Sequence, residues 1–272
     1  MHHHQALPTG LTTALEYTEA SAWAQFYRPK VAPRSKLALI ASATAGAVPE
    51  VDLLPLNRVI GLGLAPSTTP QDINRAIAFY HRAGAPRFLV QHSPLGQLNL
   101  PSWLRNSGFR LHSSRTKMLC SQPTKYQALA TGLRVARIDR SKAIVFGNIL
   151  CAGFGWPPLG LNQWLAGPIG QRNYHHYLVF LGKLPIAAGA MYVANGYAHF
   201  LLSATRPDFQ GQGAHALLIQ ARLANAQALG CKYFMAETPA TSATQPQITS
   251  RYNLEQFGFR EVYQQHNYLY TF

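Results

Sequence analysis

The segment Gln210-Gly211-Gln212-Gly213-Ala214-His215 has the residue types and spacing to hold an anion. It follows Ala204-Thr205-Arg206-Pro207-Asp208-Phe209 and leads into Ala216-Leu217-Leu218-Ile219, so it reads as a strand end, a glycine turn and a helix start. Glycines bend tightly and let the backbone approach a ligand with no Cβ between them. A helix start presents N–H groups without intrahelical partners and about half a positive charge from the aligned peptide dipoles. A diphosphate suits such a place.

The elements that must position this loop recur along the chain. Leu104-Arg105-Asn106-Ser107-Gly108-Phe109-Arg110 is similar to Leu254-Glu255-Gln256-Phe257-Gly258-Phe259-Arg260, 150 positions later. Each reads as a short helix, a glycine stop and a strand. Upstream, residues 72–83 have helical periodicity and are followed by Gly84 and the strand Phe88-Leu89-Val90. Residues 214–229 are likewise helical, followed by Gly230 and the strand Tyr233-Phe234-Met235. Agreement in order and spacing over about 40 residues predicts two related domains, 1–123 and 124–272, joined at the polar, proline-containing Ser121-Gln122-Pro123-Thr124. In the second domain, residues 133–138, 174–181, 185–193 and 199–205 predict strands, with Gly182-Lys183 as a hairpin turn. Residues 141–151 predict a helix with Ser141 as N-cap, and residues 153–170 a Gly/Pro/Trp-rich loop with a short helix near 161–165. The fold class is a mixed α/β layer.

Composition narrows the function. A chain of 272 residues that is 47% hydrophobic builds a full core, and no apolar run reaches the ~20 residues of a membrane span. Cys120, Cys151 and Cys231 form neither a disulfide framework nor a metal spacing. No metal is expected, and a reducing cytoplasm fits. His2, His3 and His4 read as a tag remnant or a disordered start. The net charge of +14, from 24 basic and 10 acidic residues, favours polyanionic ligands and disfavours polycationic acceptors. The basic residues are dispersed with no nucleic-acid motif, so nucleic acid is not the expected partner.

The loop and its surroundings resemble the GCN5-related N-acetyltransferase (GNAT) superfamily, in particular its bacterial two-domain, or tandem, kind. The resemblance rests on the loop, where His215 departs from the usual Gly or Ala, on Ala221-Arg222-Leu223 and Gly230-Cys231, and on Ser250-Arg251-Tyr252-Asn253 before Gly258-Phe259. The N-terminal copy is degenerate: Gly61-Leu62-Gly63-Leu64-Ala65-Pro66 carries its glycines before the proline, and no CoA is expected there.

The resemblance implies acetyl-CoA as cosubstrate, lying where two parallel strands splay, and transfer to a small-molecule amine. Ser203, Ala204 and Thr205 would meet the pantetheine. Gln210, Gly211, Gln212, Gly213, Ala214 and His215 would hold the pyrophosphate, and Ser250 and Asn253 the far arm. Attack needs a neutral amine and hence a base, for which Glu237 is the candidate. The family's usual proton-donating tyrosine, four residues before the glycine of the Gly-Phe pair, is here Leu254. Tyr252 and Tyr263 are the candidate substitutes, and Trp156 and Trp164 candidate walls of the acceptor site. A catalytically weak CoA-binding protein is the alternative, and a basic nucleic-acid-associated module a more distant one.

Overall fold

The computed structural model describes residues 9–28, 33–127, 132–240 and 249–272, so the N-terminal histidines lie outside the described residues. These residues fall into two units. The first comprises residues 9–28, Ser35–Thr116 and Val262–Phe272. It contains α1 (Thr9–Phe26), β1 (Lys36–Ile40), β2 (Ala43–Ala47), β3 (Arg58–Ile60), α2 (Pro70–Ala83), β4 (Arg87–His92), α3 (Leu100–Asn106) and most of β5 (Arg110–Cys120). β1, β2 and β3 pair antiparallel, and β3 and β4 parallel. α2 starts on a reciprocal cap: the Thr69 amide donates to the Asp72 carboxylate at 2.9 Å, and Pro70 fills the first turn. Its apolar face buries Ile73, Ala76 and Tyr80 against the sheet, where Tyr80 stacks on Phe88 at 3.9 Å.

The second unit lies within Lys117–Glu261. It holds β6 (Leu133–Ile138), α4 (Ala143–Phe154), α5 (Leu161–Ala166), β7 (Tyr174–Leu181), β8 (Leu184–Ala194), β9 (Tyr197–Thr205), α6 (Ala214–Ala228), β10 (Tyr233–Pro239), α7 (Thr249–Gln256) and the start of β11 (Arg260–Thr271). Its sheet runs β6-β7-β8-β9-β10, antiparallel except for the parallel β9–β10 pair. Leu218, Ile219 and Leu223 of α6 sink into a core shared with Val179, Ile186, Met191, Phe234 and Phe259. The architecture is the mixed α/β layer that the sequence predicts.

The paired heptapeptides close their helices with the same hydrogen bonds. Phe109 N–H donates to Leu104 C=O at 3.0 Å, and Phe259 N–H to Leu254 C=O at 3.2 Å. Gly108 and Gly258 donate to Arg105 and Glu255, both at 3.0 Å, with φ of 90° and 89°. Only glycine takes that left-handed conformation without a Cβ penalty. Phe109 and Phe259 then drop into the core of their own unit.

Two expectations change. Ser141 does not cap α4. A 3₁₀ turn over Arg140–Lys142 comes first, and the Asp139 carboxylate accepts from both the amide (2.8 Å) and the hydroxyl (2.6 Å) of Ser141. Asp is the better acceptor, so it takes the cap and pushes the helix start to Ala143. The division into units also differs from a single cut after residue 123. Val262–Phe272 groups with the first unit, where β11 pairs antiparallel with β4 from His266↔His92 to Thr271↔Arg87. Strand partners are chosen by burial and register, which chain order does not reveal.

Candidate functional site

The site begins where a ladder stops. β9 and β10 pair from Tyr197↔Tyr233 to Phe200↔Ala236 and no further, although β9 continues to Thr205 and β10 to Pro239. On its other side β9 is bulged: Ala190 faces Leu201 while Ala188 faces Ala204, and Leu202 carries a φ of 52°. A bulge bends its strand and increases the local twist, and this one follows directly on the last β9–β10 pair. Backbone groups left without a ladder partner must be satisfied from outside it.

The chain then turns into α6. Pro207–Phe209 form a 3₁₀ turn, the Arg206 guanidinium lies 5.0 Å from the centre of the Phe209 ring, and Gly211 and Gly213 take φ of 79° and 82°. Gly213 is the N-cap of α6, and no side chain caps the helix. The amides of its first turn therefore keep their donors for a ligand.

Ladder end and helix start open on one cleft of about 530 Å³. Of the residues singled out from sequence, Ser203, Ala204, Thr205, Gln210, Gly211, Gly213, Ala214, His215, Ser250 and Asn253 line it. Gln212 does not; it is exposed. Tyr126, Gly153, Phe209, Ala216 and Thr249 complete the lining and were not anticipated. Phe209 and Ala216 flank the loop in sequence and could have been found by extending it. Tyr126 and Gly153 could not, because each is brought in from a distant element.

Two side chains set the electrostatics below the loop. Arg222, fully buried on α6, donates to the carbonyls of Leu218 (3.0 Å) and Ala190 (3.2 Å) and lies 4.6 Å from the centre of the Phe200 ring. Burial lowers its pKa to about 9. It ties α6 to β8 beside the bulge of β9. Burial, with Arg222 adding to it, pushes the His215 imidazole down to about 3, so the ring is neutral at physiological pH. A neutral loop histidine leaves the field at the helix start to the backbone amides.

The three candidate proton carriers are dispersed. Glu237, two residues before the end of β10, pairs with Lys117 at 2.9 Å, their side chains 10% and 1% exposed. Tyr252 is 61% exposed on α7. Tyr263 belongs to the first unit, where its hydroxyl donates to the Glu16 carboxylate. None of the three lines the cleft. Leu254 is buried. Trp164 is a core residue of α5, and Trp156 packs against Phe154 at 4.7 Å.

The first unit closes the corresponding place with its own chain. Beyond the parallel β3–β4 pair, Gln97 N–H donates to Gly63 C=O at 2.9 Å and the Gln97 side chain to Pro66 C=O at 2.8 Å. A Cβ on Gly63 would stand 2.8 Å from Leu100. The degenerate copy has no equivalent glycine-started helix there, since Thr69 and Asp72 cap α2 themselves.

No family model and no curated protein sequence matches the chain. Solved structures do. A GCN5-related N-acetyltransferase from Kribbella flavida superposes over 97% of this chain and 95% of its own, at 13% identity and a TM-score of 0.59. One from Sphaerobacter thermophilus covers 84% and 80%, at 14% and 0.60. A tandem GNAT protein from the clavulanic acid biosynthesis pathway covers 97% and 94%, at 10% and 0.60. The chain has the GNAT fold in its tandem form.

Proposed function

We propose that this protein is an acetyl-CoA-dependent N-acetyltransferase whose second unit binds the acyl donor and whose acceptor is a small amine. The observation that carries the reading is the coincidence, on one cleft, of an uncapped helix start with two left-handed glycines and the open end of the β9–β10 ladder. Such a cleft fits a ligand with a diphosphate at one end and an amide-bearing arm at the other. In this reading the amides of residues 210–215 hold the diphosphate, and residues 203–205 bond the pantetheine amides. Ser250 and Asn253 bound the cleft on the α7 side.

When bound, acetyl-CoA supplies an acyl group on a good leaving thiolate. The protein must then hold the arm in line, exclude water and receive the amine's proton. Glu237 is the carboxylate offered by β10, where it pairs with Lys117 at 2.9 Å, and this reading assigns it the proton. The thiolate can depart without a donor, since a thiol is far more acidic than an alcohol. That suits a chain with Leu254 at the family's tyrosine position. The same substitution favours a second reading, a CoA-binding protein with weak transfer activity.

Titration calorimetry with acetyl-CoA, followed by a thiol-release screen over amine classes, tests both. Saturable binding with thiol release on one amine class supports the enzyme. Binding with no release on any amine supports the second reading, and absence of binding at millimolar ligand overturns both. Oligonucleotide binding with a steep salt dependence would instead favour the nucleic-acid module.

A further inference from the structure

We infer that Tyr126, on the segment leading from β5 to β6, is the adenine-binding residue of this protein and makes it select intact CoA over acyl carriers that lack the nucleotide. The inference rests on the proposed donor cleft and extends it to a residue that the loop motif does not contain.

Tyr126 lines the same cleft as the residues of the glycine loop and Asn253. It is 38% exposed. Among the described residues its hydroxyl makes no hydrogen bond, and its ring packs at right angles to that of Phe257, 4.9 Å between centres. A large aromatic ring left this open at a cleft wall, with its plane set by a buried partner, is a platform for a flat ligand.

The segment carrying it is pinned. Thr124 N–H donates to Phe257 C=O at 3.3 Å, and the Thr124 hydroxyl donates to Gln256 C=O at 2.6 Å. Gln122 C=O comes within 2.9 Å of where a Cβ of Gly258 would stand. The glycine that ends α7 therefore also clears the path of this segment, and the position of Tyr126 follows from the repeat's own Gly-Phe.

The chemistry of the ligand decides what the ring meets. The first turn of α6 accounts for a diphosphate and the open strand edge for the pantetheine. The one planar π-system of CoA is its adenine, which emerges from the diphosphate on the side away from the pantetheine. Base–aromatic stacking is on the order of 1–3 kcal/mol per base, or roughly 5- to 150-fold in affinity. Phosphopantetheine, free or on a carrier protein, has no base and gains nothing from Tyr126.

The test uses the full chain with CoA as ligand and reads saturation-transfer difference NMR together with calorimetry. In the wild type the adenine H2 and H8 signals and the pantetheine methyl signals should all receive saturation. Tyr126→Ala should remove the adenine signals selectively, keep the methyl signals and weaken CoA roughly tenfold, while Tyr126→Phe should behave as wild type. Unchanged adenine signals in Tyr126→Ala, or a loss shared equally by adenine and methyl groups, would overturn the assignment. Absence of any CoA signal in the wild type would overturn the donor cleft itself.

Discussion

The Asn253 side-chain amide donates to Nδ1 of His215 at 3.1 Å, joining the start of α6 to α7 across the wall of the cleft. An Asn NH₂ group can only donate, so Nδ1 must accept and the ring proton sits on Nε2. The neutral ring that burial enforces is the form this bond requires. The one departure of the loop from the family pattern is thus accommodated by a partner on the next helix. His215→Ala should cost about 1 kcal/mol of stability, the usual net worth of a hydrogen bond, and loosen CoA binding several-fold. Thermal melting and calorimetry check both, and Asn253→Ala should give no further loss when added to it.

Gly213→Asp separates binding from folding. The residue is an N-cap at φ 82° with no side-chain cap. Asp tolerates left-handed backbone better than most residues and is a preferred N-cap, so the melting temperature should hold within a few degrees. Its carboxylate would face the diphosphate, and CoA binding should fall more than about 100-fold, two decades being some 2.8 kcal/mol. Unchanged affinity in calorimetry would show that the loop is not the diphosphate site.

Gly153→Ala should be destabilising, although Gly→Ala inside a helix ordinarily gains about 1 kcal/mol. The added Cβ would lie 2.7 Å from Ala204 Cβ and 3.0 Å from Thr205 C=O. The backbone of β9 cannot yield as a flexible side chain would, so a net loss of about 1–3 kcal/mol is expected, with weaker CoA binding because residues 204 and 205 bound the cleft. Chemical denaturation gives the sign.

The Lys117–Glu237 pair should be asymmetric under mutation. Lys117→Met removes the cation from a carboxylate of which only a tenth is exposed and should cost about 3–5 kcal/mol. Glu237→Gln should lower kcat/KM by at least about 100-fold if the carboxylate takes the amine's proton. A Glu237→Gln enzyme with wild-type kinetics would remove Glu237 from the mechanism.

Stability should fall on mild acidification before most carboxylates titrate. Burial depresses His176 to about 3 and His92 to about 4, with neighbouring His175 and His266 respectively adding to it. The unfolded chain, with these groups near their ordinary 6.5, binds more protons below that pH. The stability they contribute is fully present above about 6.5 and is lost as pH falls from there toward 4 and 3, at up to about 1.4 kcal/mol per pH unit for each group. Denaturant midpoints between pH 7 and 5 measure it. His176→Phe, which keeps a ring against Tyr174 and Phe146, should flatten the slope.

The sequence by itself determined the local parts of this protein. The glycine loop, the helix behind it and the Gly-Phe helix ends are legible because turn and cap chemistry acts over a few neighbouring residues. Glycine at a left-handed position or an apolar stripe on a helix looks the same in any fold. The repeat legible at Gly108 and Gly258 reappears as matching hydrogen bonds for that reason. Only the tertiary structure decided which distant groups share the cleft. Tyr126 reaches it because Gly258 leaves room for its segment, and Gly153 because α4 packs on the end of β9. Those choices depend on burial and strand register summed over the whole sheet, a non-local quantity that no window of the sequence contains.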